Sequence, residues 1–244
     1  MHALVNLCGR YDTVPDIFRT ALVRVGGNRW ALRVFYYPWR VLPYPLRRLV
    51  TAGSIRLTLW VKRLLKVDSQ DALTAMNQLG TLSFWGVPEI AVADYRLVIE
   101  GEVEQDLSLS LEQLQSLPAV TREVRLDCVG GFRNNSMMEG VSLQTLLGIC
   151  GVGPDARRAV FHCADGYYSS LELSELLDRE AFLAYGINGQ RIPKFGYPLR
   201  LVAPGKYGYQ WAKWVRRIEL VPDQRKGHWA RLGLPDRGDV GDIW

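Results

Sequence analysis

Cys128 stands at the end of Val124-Arg125-Leu126-Asp127-Cys128, a short strand-like run, and Val129-Gly130-Gly131 follows at once. A thiol there is carried off a strand into a loop whose glycines let a bulky group approach the backbone. On such a strand Val124, Leu126 and Cys128 share one face, and Arg125 and Asp127 share the other. The ordinary role of a lone cysteine is a small buried core residue. As a thiolate, the same atom is a ligand for a soft metal site. Downstream lie further groups able to do chemistry: Cys163, Asp165, Arg200, Lys206, Tyr209 and Lys213. Read on their own, Arg200 suits pairing with a nearby carboxylate and Lys213 a solvated strand lysine. Asp165 before Gly166 suits an Asx-type turn, and Tyr209 suits packing within a strand.

These groups need elements to place them. Tyr95 to Gly101 reads as a strand, and Ser110 with Gln113 has capping-box spacing for a helix that stops at Pro118. Val120 to Val129 is the thiol-bearing strand. Ser142 opens a helix that Gly151 closes, Ala159 to Ala164 is a strand, and Asp165-Gly166 is a turn. Ser174 caps a short helix, Asn188-Gly189 marks a hairpin, and strands follow at 199–203 and 212–221. With no repeat and no regular alternation of strand and helix, this pattern predicts an α+β domain of about 150 residues.

Residues 1–80 read differently, as a basic helical extension preceding a domain over 81–244. Pro15 and Asp16 open a helix to about Arg24, and Pro38, Pro43 and Pro45 interrupt the next segment. Ile55 to Lys66 mixes Leu, Trp and Val with Arg and Lys at helical spacing. Such a helix lays its apolar face on the body with its cations in water. Residues 1–66 carry 12 Lys and Arg against Asp12 and Asp16, while the remainder is net acidic. That asymmetry also suits an anionic membrane surface or an acidic partner, and a nucleic-acid role is the weaker expectation.

Among the 244 residues, hydrophobic content of 48% and charged content of 23% exclude a disordered chain. The four cysteines lack CxxC spacing, too sparse for a disulfide framework and suited to a reducing compartment. Three histidines without paired spacing argue against zinc. No secretory signal pattern and no apolar run of transmembrane length is present. The expected location is cytoplasmic, with periplasmic or membrane-peripheral as the alternative.

Several segments together resemble one family. Leu126 to Phe132 resembles the cysteine loop of the sulfite oxidase family of molybdopterin enzymes, and Phe161 to Tyr167 its next strand and turn. Pro198 to Tyr209, followed by Lys213-Trp214 and Arg217 to Leu220, is similar to its cofactor-binding stretch. Val87 to Ile90 resembles the entry into the domain and Gly227-His228-Trp229 its close. The likeness covers roughly 84–235 in unbroken order.

The resemblance implies a molybdenum-molybdopterin cofactor, no haem, and two-electron oxygen-atom transfer on a small sulfite-like, S-oxide or N-oxide substrate. It puts Cys128 in the metal-thiolate position. It further implies cofactor contacts from Phe84, Trp85, Cys163, Arg200, Trp211, Ala212 and Lys213, with Arg133, Lys206 and Tyr209 as weaker substrate contacts. Members with an Arg-Asn-His run near the pterin differ from Leu82-Ser83-Phe84-Trp85 here, which weakens the case for sulfite itself. Electrons are expected to pass through a separate partner, a cytochrome, quinone-linked or flavin protein. The alternative is a non-catalytic molybdopterin carrier that docks through its basic N-terminal segment.

Overall fold

The computed structural model describes residue 39, residues 41–64, residues 73–76, residue 79, and residues 86–241 apart from 130–132 and 194–195. The expected helix over 15–24, together with Phe84 and Trp85, lies outside the described residues.

Two five-stranded sheets form the body. The first contains β1 (Leu97–Gly101), β2 (Leu107–Leu109), β5 (Arg158–Cys163), β6 (Tyr168–Glu172) and β10 (Val215–Val221). Its order is β2-β1-β10-β5-β6, and β1 runs parallel to β10 while the other pairs are antiparallel. The second contains β3 (Ala119–Asp127), β4 (Arg133–Ser142), β7 (Phe182–Ile187) and β8 (Gln190–Arg191), with β9 (Arg200–Val202) also on β7. Short helices α2 (Leu111–Ser116), α3 (Leu143–Cys150) and α4 (Leu173–Asp178) join the strands, and α5 (His228–Arg231) follows β10. This is the expected α+β class.

Local chemistry explains most boundaries. Ser110 accepts from the Gln113 N–H while the Gln113 side chain accepts from the Ser110 N–H, so both arms of the capping box form. Ser142 caps α3, and Gly151 ends it at φ +69°, where a side chain would be strained. Asn188 and Gly189 both take positive φ, as a tight hairpin between twisted strands requires. Glu172, not Ser174, stands at the N-cap of α4, one correction to the sequence reading.

Strands β4, β6 and β7 were not anticipated. β4 begins Arg-Asn-Asn-Ser, which reads as a polar loop, yet Asn134, Asn135 and Ser136 are buried between β3 and neighbouring chain. β7 is buried at every position, so it shows no alternation.

The helix α1 (Tyr44–Leu64) starts earlier than expected. Pro45 lies in its first turn, where no N–H is needed, so it opens the helix rather than interrupting it. The expected orientation is reversed over the described part. Thr51, Ala52 and Ile55 are buried, while Leu49, Leu57 and Trp60 are exposed.

Gly140 sits where β4 meets β7 most closely: an added Cβ would lie 2.0 Å from the Leu183 carbonyl oxygen. Relief requires the backbones to separate. Gly140→Ala is expected to cost about 1–3 kcal/mol or more, read as a lower urea midpoint, and an unchanged midpoint would contradict this packing.

Candidate active site

The β3–β4 hairpin places the thiol. Asp127 pairs with Arg133 across the ladder, so Cys128 is the first residue of the connection. On the other side Asp127 bridges Tyr207 in parallel. Gly208 then approaches so closely that an added Cβ would lie 3.0 Å from Leu126 Cδ2 and 3.4 Å from the Asp127 carbonyl oxygen. The Asp127 carboxylate accepts from Arg133 Nε at 2.6 Å, which keeps one cation beside the thiol loop. Cys128 itself is half-buried.

A second pair of segments converges on the same place. Arg200, opening β9, bridges Lys213 in antiparallel register, and the Leu201 N–H donates to the Ala212 carbonyl at 2.8 Å. The Ala164 N–H donates to the Trp214 carbonyl at 2.9 Å, which ties in the end of β5 and the Asp165-Gly166 turn. Residues from four distant stretches of chain thus meet.

Their electrostatics are unusual. Burial pulls Arg200 down to about 10. Burial and the neighbouring Arg200 pull Lys213 down to about 8, against the opposing influence of Asp165, Cys163 and Cys128. Both cations nonetheless keep some access to water, as groups in the wall of a recess do. Like charges opposite one another on a ladder destabilise it. The Arg200 Nε is buried without a hydrogen-bond partner among the described residues, an arrangement worth about 1–3 kcal/mol of lost solvation. An anion bound between these side chains relieves both costs. A cofactor with a phosphate dianion and a metal seeking a thiolate therefore fits the donor set of Arg200, Lys213 and Cys128.

The profile of the oxidoreductase molybdopterin binding domain matches residues 84–229. The chain belongs to that family. It is 31% identical over 148 residues to a putative protein-methionine-sulfoxide reductase subunit of Azospira oryzae, an alignment covering 60% of this chain and 56% of that protein. It is also 31% identical over 176 residues to human mitochondrial sulfite oxidase, covering 59% and 32% respectively. Among solved structures, the sulfane dehydrogenase SoxCD of Paracoccus pantotrophus superposes with a TM-score of 0.60 at 28% identity, over 64% of this chain and 45% of that one. The chain therefore spans little more than half of the first of these relatives and less of the others.

Within this molybdopterin-binding domain, Cys128, Cys163, Asp165 and Arg200 all lie close enough to Lys213 to shift its pKa. Cys163 is buried and its thiol is pushed well up by desolvation, so it stays protonated and suits a packing or weak polar contact. Trp211 lies under the Arg200 guanidinium, 5.9 Å from ring centroid to Cζ, and its indole donates to the Lys206 carbonyl at 3.0 Å. The N–H groups of Trp211 and Ala212 donate to Gly208 and Gln210 carbonyls. Both residues are buried, and their N–H groups are engaged within the protein.

Two further residues of the expected set have their polar atoms engaged within the protein. Lys206 is 1% exposed, its ammonium bonded to Glu175 and 2.8 Å from Asp239, in a cluster that also holds Arg179 and Arg237. The charge of this cation is neutralised within the cluster. The Tyr209 hydroxyl donates to the Pro235 carbonyl at 2.6 Å and burial raises its pKa, so it serves packing. The sequence reading missed Tyr167. Its hydroxyl donates to the Tyr209 carbonyl, and its N–H donates to Asp165 Oδ1 at 3.1 Å. Its place just after the Asp165-Gly166 turn was the available signal. The Asx-type turn at Asp165 is present as expected, and burial raises that carboxyl as well.

The lysine gives a pH signature. Lys213 titrates at about 8 in the fold, whereas an unfolded lysine titrates at about 10.4. Between those values the unfolded chain carries the extra proton, so this group makes the cofactor-free protein more stable as pH rises through the window. Urea titrations at stepped pH should show that rise in the wild type and its absence in Lys213→Met. Parallel curves would refute it.

Proposed function

We propose that this chain is a molybdenum-dependent oxidoreductase acting on a small sulfite-like, S-oxide or N-oxide substrate. The observation that carries the reading is the meeting of one strand-end thiol with two desolvated cations, Arg200 and Lys213, in a molybdopterin-binding domain. When bound, the molybdenum centre supplies two-electron oxygen-atom transfer. The chain supplies placement and charge. Cys128 would hold the metal through its thiolate. Arg200 and Lys213 would neutralise the cofactor phosphate, and Lys213 would then stay protonated above its cofactor-free pKa. Arg133, fixed by Asp127, keeps positive charge at the substrate side of the loop. Asp165, its pKa raised by burial, acts on Lys213 while its Oδ1 accepts from the Tyr167 N–H.

A separate electron carrier completes the reading: a cytochrome, a quinone-linked protein or a flavin protein. Two relatives support that view by name, one a reductase subunit and the other the catalytic subunit MsrP of Gluconobacter oxydans, 31% identical over 168 residues.

Substitution separates the roles. Cys128→Ala is expected to retain the pterin and to lose turnover on methionine sulfoxide, sulfite and small N-oxides by at least about a hundredfold. Arg200→Ala should instead lower pterin content, measured by fluorescence of the oxidised cofactor after release, by about tenfold. Wild-type molybdenum content together with wild-type turnover in Cys128→Ala would end the assignment of the metal to this thiol, whereas bound pterin with no turnover in the unsubstituted chain would leave a carrier role in its place.

A further inference from the structure

The outward face of α1 has no part in the site above. Leu46, Leu49, Val50, Leu57, Trp60 and Val61 are exposed by 42%, 69%, 45%, 60%, 59% and 38%. At 3.6 residues per turn these six positions fall within an arc of about 120°. The buried residues Thr51, Ala52 and Ile55 lie on the opposite side. The stripe is therefore a continuous apolar face and not a scatter of single residues.

The body holds this helix by its first turns. Arg47 Nη1 donates to the Arg231 carbonyl at 3.1 Å, the Trp39 indole donates to the Leu232 carbonyl at 3.0 Å, and Lys226 Nζ lies 5.0 Å from the Tyr44 ring centroid. Gly233 packs so closely that an added Cβ would lie 3.1 Å from the Arg47 carbonyl carbon. These contacts fix the side of the helix opposite the stripe.

Charge decides what the stripe meets. The helix sequence contains Arg47, Arg48, Arg56, Lys62 and Arg63 and no acidic residue. Arg56 is exposed at the edge of the stripe. No described helix is long and apolar enough to cross a membrane. An apolar face carrying an exposed tryptophan, on an acid-free basic helix too polar to span, has the chemistry of an interfacial helix.

We propose that α1 docks the domain on a membrane surface rich in anionic lipid, lying in the interface plane with Leu49, Leu57 and Trp60 inserted. The cofactor-binding domain is then held membrane-peripherally. This inference does not depend on the proposed oxygen-atom transfer.

Vesicle co-sedimentation of the full chain tests it. The probes are pure phosphatidylcholine vesicles and vesicles with 30 mol% (about one third) phosphatidylglycerol. The wild type should partition onto the anionic vesicles at least about tenfold more than onto neutral ones, with the difference shrinking as salt rises. Leu57→Glu/Trp60→Glu should abolish binding, and Arg56→Glu should weaken only the anionic component. Both substitutions lie at exposed positions, and an unchanged thermal midpoint confirms that the variants fold. Equal binding to both vesicle types, or binding that survives Leu57→Glu/Trp60→Glu, overturns the proposal. It is also overturned if the double variant lowers the thermal midpoint without affecting vesicles, since the stripe then packs within the chain. A wild-type dimer that the double variant converts to monomer, with no vesicle binding, points to a second copy instead and likewise overturns it.

Discussion

Two cations facing each other across a strand pair in a poorly solvated recess are the constraint on which the site depends. Arg200 and Lys213 are bridged by the backbone and so cannot move apart without breaking the ladder. Desolvation lowers both, and Arg200 further disfavours the charge on Lys213. An arrangement that costs stability in the cofactor-free chain becomes favourable when an anion lies between the two side chains. The buried Arg200 Nε, without a partner among the described residues, gives the same preference at atomic detail.

Much of the fold serves that recess. The second sheet carries Cys128 at the end of β3, the first brings the end of β5, and the stretch from Arg200 to Val215 joins both. Gly208 is the contact that allows the joining stretch to approach the thiol strand. One nearby cation is neutralised elsewhere. Lys206 lies only a few residues along the chain, yet Glu175 and Asp239 hold it in a separate buried cluster. Position in sequence therefore says little about which basic residue is available to an anion.

The sequence alone determined a good deal, because local signals act through nearest neighbours. The Ser110–Gln113 capping box, the Ser142 and Gly151 helix ends, the Asn188-Gly189 hairpin and the Asp165 turn all depend on atoms within a few residues. The motif order from Leu126 to Arg217 sufficed for the family and its α+β class, confirmed by the match over 84–229.

Tertiary structure decided what periodicity leaves open. β4 is polar in sequence but buried, because its partners are β3, β7 and the chain around Thr74, and no local pattern names them. The periodicity of α1 announces an apolar stripe without saying whether the body or the solvent receives it, and the contacts at Arg47 and Gly233 turn it outward. Likewise, the residue types at Arg200, Lys206 and Lys213 are alike in sequence. Long-range carboxylates neutralise Lys206, whereas burial lowers Arg200 and Lys213 against the opposing influence of Asp165 on the lysine, since Coulomb interactions depend on distance in space and on the dielectric around the charges.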